Sequence, residues 1–392
     1  MLLFLAITAL LIGAIHLWLH HALLSATRLG PRTTRLGRII LAALWAAAIA
    51  SLAVGIHIPT SWGRPIGYIG GIWFAVLFYL VPALILIALA AGLARATRID
   101  ASRIMGARRA ATALVLVTVL AVCGWGTWNA HHPSVREARI AVPGLPTGFD
   151  GTRIALVADL HLGPALGEEF ARTVTELINE QDPDLILVGG DLIDGTIAKV
   201  GPATAPLAAL RAPLGVHVVS GNHEYYADDA DAWLDHFATL GMNTLRNQRI
   251  ELDRGGDTID LAGVNDYDAP PPRPADLGAA LEGRDPERTL LLLAHQPRHI
   301  TAAAAAGVEV QFSGHTHGGQ LWPFGYLVAL TQDVAITGLD VLAGDAAGDG
   351  DAAGDGDGHG TQIYTTSGAG AWGPPVRVGT TPEIVIIELV RE

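Results

Sequence analysis

The chain has 392 residues, half of them apolar, and a mean hydropathy of +0.37. That value excludes an ordinary soluble enzyme and predicts that part of the chain lies in lipid. The net charge of −13 is unevenly divided: residues 1–130 carry ten Arg and one acid, so the remainder carries −22. We therefore expect a basic membrane part, and an acidic part that does not bind nucleic acid, since such binding depends largely on Lys and Arg.

Four apolar stretches in the first part are each close to the roughly 20 residues with which a helix crosses a bilayer. The first could instead be a signal peptide, but it lacks a cationic start and a small-residue cleavage site, so we expect it to be retained. We predict a membrane domain at residues 1–130 whose four transmembrane helices lie at Leu2–Leu24, Ile39–Ile58, Ile66–Leu93 and Ala110–Trp128.

The arginines predict the topology, because short cytoplasmic loops accumulate Lys and Arg. The first loop has four Arg and the third has five, whereas the second has only Arg64. Loops one and three are therefore predicted to be cytoplasmic. With four spans, this arrangement places the C-terminal domain outside the cytoplasm.

A juxtamembrane linker is predicted at 131–151, leading into an edge strand near 138–142, and a second domain at 152–392. In that domain short β-branched runs alternate with helical patterns, the rhythm of an α/β fold with a sheet core. Residues 343–360 are rich in Gly, Ala and Asp, and we interpret them as a disordered insertion because they cannot bury a core. The predicted strands lie at 153–159, 184–191, 216–224, 258–266, 289–297, 308–317, 361–368 and 383–390.

Polar groups able to bind a metal follow five of these strands, and we expect them at the carboxyl edge of one sheet, where open α/β sheets hold their sites. Taken singly, each could be a helix cap or an ordinary packed histidine. Together, carboxylates, imidazoles and an amide favour Mn, Fe or Zn, and the glycines beside them allow sharp bends. The candidates are Asp159, His161, Asp191, Asn222, His223, His295, His315 and His317.

These residues lie in DLH, GD, GNHE, AHQP and SGHTHGGQ, which resemble the ordered motifs of the calcineurin-like metallophosphoesterase superfamily. Over residues 152–392 the details are similar to its membrane-associated bacterial phosphodiesterases. The resemblance implies a β-sandwich flanked by helices, preceded here by the four-helix transmembrane anchor. It also implies two divalent metal ions (Mn, Fe or Zn), one bound by Asp159, His161, Asp191 and His317, the other by Asp191, Asn222, His295 and His315.

In that arrangement Asp191 bridges the metals, and His223 stabilises a phosphoryl oxygen or protonates the leaving group. The reaction expected is hydrolysis of a phosphodiester or phosphomonoester by metal-activated hydroxide. The anchor and the topology favour an envelope substrate, such as a lipid-linked phosphate or a cell-wall phosphodiester. Asp194, Glu224 and Asp266 are possible orienting groups for His223, each equally compatible with a turn or cap.

Three alternatives stay open. The protein could be a non-enzymatic, metal-dependent membrane scaffold, although a complete ligand set with His223 weighs against it. It could be a transporter, which spans without acidic residues disfavour. Arg377 is either a substitute for a substrate-binding arginine that related sequences carry near position 367, or a surface structural residue. The sequence indicates no oligomeric state.

Overall fold

The computed structural model describes residues 2–342 and 360–392. The predicted insertion at 343–360 therefore lies, apart from Gly360, outside the described residues. The N-terminal part consists of four helices, each long and apolar enough to cross a membrane by length and composition. They are α1 (Leu2–Leu19), which a π-helical segment extends to Ser25, α2 (Pro31–Ser51), α3 (Thr60–Ala96) and α4 (Ala101–Ala130).

The prediction that the second span continues to Ile58 was wrong. The helix begins at Pro31 and ends at Ser51, and residues 52–58 form turns where a continuing helix was expected. Gly55 adopts a left-handed φ of 88° in these turns. The apolar character of residues 52–58 concealed this turn, because hydropathy does not report backbone conformation.

The loops of the membrane part lie on two different sides. Arg109 of α4 donates from Nε to the carbonyl of Thr27 at 2.8 Å and from Nη2 to that of Arg28 at 3.0 Å, so the first loop lies beside the start of α4. The second loop contacts the C-terminal part instead, where the amide of Thr196 donates to the carbonyl of Gly55 at 3.0 Å. The arginine-rich loops are therefore at the end of the helices away from the C-terminal part.

The C-terminal part contains two mixed six-stranded sheets. In spatial order, the first consists of β1 (Ser134–Val142), β12 (Glu383–Arg391), β2 (Thr152–Val157), β3 (Leu185–Val188), β4 (Val216–Val218) and β5 (Asn243–Thr244). The second consists of β10 (Gly338–Leu342), β11 (Thr361–Thr365), β9 (Val310–Ser313), β8 (Leu290–Leu293), β7 (Asp257–Gly263) and β6 (Gln248–Arg254).

The two sheets pack face to face around one apolar cluster, to which Leu156 and Leu187 contribute from the first sheet and Leu291 and Phe312 from the second. This arrangement is the expected α/β sandwich, in which both sheets bury one face against the other and the second face under helices. The helices are α5 (Glu168–Asn179), α6 (Ile197–Val200), α7 (His223–Ala227), α8 (Ala230–Thr239), α9 (Leu277–Ala280), α10 (Ile300–Ala305) and α11 (Gly325–Ala329).

Helix α5 shows how the sequence sets this packing. Phe170, Val174 and Ile178 recur every four residues and are buried in the cluster that covers the outer face of the first sheet. Two glutamates in its first turn favour the helix through its dipole.

The predicted edge strand is present as β1, which begins at Ser134 and pairs with β12 along its length. The limits 1–130, 131–151 and 152–392 stay predictions.

Glycines bring the membrane helices into close contact with the C-terminal part. A Cβ atom on Gly71 of α3 would lie 2.8 Å from Pro375 Cδ, and one on Gly126 of α4 would lie 2.7 Å from Val376 Cγ1. Such distances are shorter than real carbon contacts, so only glycine fits at these positions. Hydrogen bonds add to the contact, since Arg64 Nη2 donates to the carbonyl of Ala165 at 2.9 Å. The helices are thus packed directly on the C-terminal part.

This contact yields a matched test in α4. We expect Gly126→Leu to lower the thermal midpoint of the detergent-solubilised full chain, because overpacking costs about 1–3 kcal/mol. Gly124→Leu is the control, since a Cβ atom there meets nothing within 4 Å. Equal midpoints for the two variants would contradict the close contact.

Candidate metal centre

The predicted metal ligands meet at the carboxyl ends of strands from both sheets. Asp159, Asp191 and Asn222 follow β2, β3 and β4 of the first sheet, whereas His295 and His315 follow β8 and β9 of the second. The expectation that one sheet carries them all was therefore wrong. The chain crosses to the second sheet after β5 through the β6–β7 hairpin, and the strand periodicity that predicts each strand does not reveal its neighbours.

One group of potential ligands consists of Asp159, His161 and His317, whose ligand atoms all lie within 4.8 Å of one another. The Nε2 atoms of the two histidines are 3.0 Å apart. The distance from His317 Nε2 to Asp159 Oδ1 is 3.7 Å. All three side chains are buried, so a cation between them would be almost fully withdrawn from solvent.

A second group consists of Asp191, His295 and His315. His295 Nε2 lies 3.2 Å from Asp191 Oδ2, 3.2 Å from His315 Nδ1 and 3.2 Å from the amide oxygen of Asn222. These residues and Asn222 are the four that were predicted to hold the second metal. The structure brings all four of these residues together.

Asp191 lies between the two groups. Its Oδ2 atom is 3.2 Å from His295 Nε2 and 3.8 Å from His161 Nε2, so one oxygen faces ligand atoms of both. Its Oδ1 atom accepts a hydrogen bond of 2.8 Å from the backbone amide of His223. A carboxylate in this position is able to contact two cations at once.

Five residues of the site share a strained backbone conformation. Asp159, His161, Asp191, His315 and His317 all have left-handed φ angles, between 47° and 71°. Each such residue costs of order 1–3 kcal/mol, and such outliers cluster at functional sites. The strain turns the side chains at successive strand ends towards one point.

Two glycines allow the backbone to approach the buried carboxylates. A Cβ atom on Gly221 would collide with Asp191 Oδ1, and one on Gly368 would lie 2.6 Å from Asp159 Cβ. The glycines beside the motifs therefore do more than permit bends. They leave the space that the two carboxylates occupy.

The donor set fits a divalent cation. His161 Nδ1 lies 2.9 Å from the carboxylate of Asp194, and His295 Nδ1 lies 2.7 Å from the carbonyl of Gly189. Because both partners only accept, each Nδ1 carries the proton and each Nε2 presents its lone pair to the group. Two buried carboxylates beside these nitrogens would be costly without a positive counter-charge. A cation bound there would provide it.

Asp194 is a residue whose role the sequence left open. One oxygen, Oδ1, accepts from His161 Nδ1 at 2.9 Å and from His223 Nδ1 at 2.6 Å. Burial by itself would raise the pKa of Asp194, but its contacts with the imidazoles of His161 and His223 hold that pKa well below its ordinary value. Burial lowers the pKa of His223, yet the charges of Asp194 and Asp191 outweigh burial and raise it to about 9. In the sequence, the only sign that Asp194 belongs to the site was its position three residues after Asp191.

The two other possible orienting groups have structural partners. Glu224 accepts hydrogen bonds from the amides of Gly221, Leu192 and Asp191, and so ties the turn after β4 to the turn after β3. Asp266 accepts from Gln296 Nε2 at 3.0 Å, beside His295. Glu224 and Asp266 thus support the loops that carry the ligands, and Asp194 is the group that contacts His223.

Arg377 is fully buried, so the surface position considered for it was wrong. It is also not among the described residues that line the cavity. Its guanidinium donates to His317 Nδ1 at 3.0 Å, to the carbonyl of Gly370 at 2.7 Å and to that of Gly368 at 3.1 Å. These contacts hold the His317 ring in place, with its Nε2 atom towards Asp159.

The membrane part reaches this arginine directly. The backbone amide of Arg377 donates to the carbonyl of Gly126 in α4 at 2.9 Å. Asn129 Nδ2, one turn later, donates to the carbonyls of Arg377 at 3.2 Å and Thr380 at 2.9 Å. Two residues of α4 thus fix the loop whose arginine contacts a predicted metal ligand.

A cavity of about 590 Å³ opens beside the site. Predicted ligands line it together with His223, and the side chains of Tyr226 and Trp372 lie against the His223 ring at centroid distances of 5.0 and 5.9 Å. Because Nδ1 of His223 bonds Asp194, Nε2 is the ring nitrogen left for a bound molecule.

Comparisons with known proteins agree with the fold. The family model described as calcineurin-like phosphoesterase matches residues 152–319. A Danio rerio protein named "Transmembrane protein with metallophosphoesterase domain" is 31% identical over 81% of this chain and 71% of its own length. The Bos taurus protein of that name is 33% identical over 71% of this chain. An uncharacterized metallophosphoesterase of Helicobacter pylori is 36% identical over 66% of it.

The chain spans 62% of the Bos taurus relative and 64% of the Helicobacter pylori relative. Two of the three relatives have names that combine a transmembrane protein with a metallophosphoesterase domain. The four long apolar helices agree with those names, and the chain is a membrane protein.

The position of Asp194 yields a test that does not depend on activity. We expect Asp194→Asn to weaken metal binding by about 10–100-fold, the usual effect of removing the carboxylate that orients a ligating histidine. Isothermal titration of the metal-free full chain with Mn²⁺ measures the affinity. Asp182→Asn, at an exposed residue, is the control and should retain wild-type affinity. Unchanged affinity of Asp194→Asn would show that Asp194 does not support the site.

Proposed function

This chain belongs to the calcineurin-like phosphoesterase family, and on that premise we propose that it is a membrane-anchored phosphodiesterase with two divalent metal ions that hydrolyses an envelope substrate. The observation that carries the proposal is the position of Asp191, whose Oδ2 faces both groups of ligand atoms. Carboxylate, imidazole and amide oxygen donors suit Mn, Fe or Zn.

The ligands divide into two sets in this proposal. One metal would be held by Asp159, His161, Asp191 and His317, the other by Asp191, Asn222, His295 and His315. When bound, the two cations supply Lewis-acid chemistry, which neutralises charge on the phosphate and makes water nucleophilic at neutral pH. The chain contributes a dry, preformed set of donors, so little reorganisation accompanies binding.

His223 is the group proposed to act on the substrate. It lines the cavity, and its Nδ1 atom is held by Asp194 at 2.6 Å, which leaves Nε2 to donate. A proton from Nε2 would stabilise a phosphoryl oxygen or pass to the leaving alkoxide as the P–O bond breaks. Asp194 fixes the ring in the orientation and tautomer that this role requires.

Two organic groups on the phosphate fit the cavity better than one. A volume of about 590 Å³ lies in the range of sites for drug-sized molecules and exceeds what a single phosphate fills. Side chains as far from the ligands as Thr331 and Gln332 also line it. The shape therefore supports a diester as the preferred substrate.

The proposed orientation places the C-terminal part outside the cytoplasm. The arginine-rich first loop lies beside the start of α4, at the helix ends away from the C-terminal part, and short loops rich in arginine are normally cytoplasmic. An outward-facing site would meet phosphoesters of the cell envelope. That reasoning supports the envelope substrate.

Activity is tested with bis-p-nitrophenyl phosphate and the full chain loaded with Mn²⁺, Zn²⁺ or Fe²⁺. We expect hydrolysis faster than that of p-nitrophenyl phosphate, and a loss of about 10²–10⁴-fold in kcat for His223→Ala, with metal content unchanged. His132→Ala, at an exposed histidine, serves as the control. Absence of hydrolysis with all three metals would contradict the enzyme proposal and leave the scaffold alternative.

Topology is tested by cysteine labelling, which the sequence makes simple because Cys123 is its one cysteine. In a Cys123→Ala background, we expect Asp182→Cys to react with an impermeant maleimide in right-side-out vesicles. Ala101→Cys, at the other end of the helices, should react only after permeabilisation. The reverse pattern would place the site in the cytoplasm.

A further inference from the structure

The cavity beside the metal centre changes character along its length. One end is lined by the predicted ligands and, beyond them, by the polar side chains of Asp268, Gln296 and Arg298. Towards α3 the lining is mainly apolar, although Thr331 and Gln332 also belong to it. The apolar residues are Phe78 of α3 and Leu321, Phe324 and Val328 of the stretch after β9, while Trp372 lies beside His223.

Phe78 connects the cavity with the bilayer. It lies 17 residues before Arg95 in α3, which corresponds to about 26 Å along the helix axis. If Arg95 marks the cytoplasmic boundary, Phe78 is near the outer limit of a hydrocarbon layer about 30 Å thick. Earlier residues of α3, such as Gly71, already contact the C-terminal part. With the proposed topology, the apolar end of the cavity lies at the level of the outer leaflet.

The interfacial segment, defined as Leu321–Leu330, extends this apolar end across the surface. It is attached to α3, because Tyr79 Oη donates to the carbonyl of Trp322 at 2.8 Å and the rings of Phe78 and Phe324 meet edge to face at 6.4 Å. Most of its large side chains are nevertheless exposed, with Leu330 82% accessible. The exposed ones are Trp322, Phe324, Tyr326, Leu327 and Leu330.

A contiguous apolar patch of this kind is rare on a surface that faces water, and it marks a contact with protein or membrane. Here the patch continues from a membrane helix at the depth of the outer leaflet. Lipid is therefore the medium that covers it. Trp and Tyr are the residues enriched at such interfaces.

We propose that the substrate is a lipid phosphoester drawn from the outer leaflet, with its hydrocarbon chain between Phe78 and the interfacial segment and its phosphoester at the metal centre. The polar head group would lie towards Arg298 and Asp268. This inference rests on the proposed function, and it narrows the substrate from any envelope phosphoester to a membrane lipid. It also explains why an aromatic side chain of a membrane helix lines the cavity.

The test compares two diesters that differ only in their tail, dodecyl and methyl p-nitrophenyl phosphate. Hydrolysis of either consumes one water, breaks the P–O bond to p-nitrophenolate, and yields the alkyl phosphate and one proton. The full chain is assayed in phosphatidylcholine nanodiscs. We expect the wild type to favour the dodecyl ester by about tenfold or more in kcat/KM, since each buried methylene contributes about 0.8 kcal/mol.

Partitioning alone concentrates a dodecyl ester near any membrane enzyme, so the variants are decisive. Phe78→Gln and, independently, Phe324→Gln should lower the dodecyl-to-methyl ratio by about tenfold. Leu86→Gln is the matched control, because Leu86 is an exposed apolar residue of the same helix away from the cavity, and its ratio should equal that of the wild type.

The outcomes separate the two proposals. If neither ester is cleaved by the wild type, the proposed function fails and this inference fails with it. Cleavage of both esters at equal rates overturns only the lipid substrate. The same holds if Phe78→Gln and Phe324→Gln both retain the wild-type ratio.

Discussion

Two buried carboxylates, Asp159 and Asp191, lie where the ends of two sheets meet, and their burial governs the rest of the site. An isolated buried charge is costly, so these groups need either protonation or a positive counter-charge nearby. Imidazole Nε2 atoms face both carboxylates, and a cation bound among them would supply the counter-charge. The strand ends must turn sharply for these side chains to converge. The residues with left-handed φ angles and the closely packed glycines allow that turn. A sandwich of two rigid sheets sustains that strain.

Support for the site extends from these carboxylates into the membrane. Asp194 holds His161 and His223 through one oxygen atom, and Arg377 holds His317 while α4 holds the loop of Arg377. The membrane helices are therefore part of the structure that positions the ligands as well as an anchor. The same closeness brings Phe78 into the wall of the cavity. The direct packing of the membrane helices on the C-terminal part thus explains both the glycines at their contact and the apolar end of the cavity.

The sequence predicted what depends on local pattern. Nine strands, the order of the ligands and four membrane helices follow from residue types along the chain, because strand alternation, apolar length and motif order are local properties. It missed the short strand β5, and also β6 and β10, which lie at sheet edges and bury little. It also assigned the ligands to one sheet. The contacts of Asp194 and Arg377 could not be predicted, since their partners are 33 and 60 residues away, and distance along the chain does not encode proximity in space.

The proposed sharing of Asp191 by two cations is measured most directly by manganese binding with electron paramagnetic resonance. For the full chain reconstituted with Mn²⁺, we expect two ions per chain with an exchange-coupled spectrum. Asp191→Ala should weaken binding of both ions and abolish the coupling, because a carboxylate that contacts two metals supports each of them. One ion per chain would contradict a shared Asp191, and so would two uncoupled ions whose affinities are insensitive to Asp191→Ala.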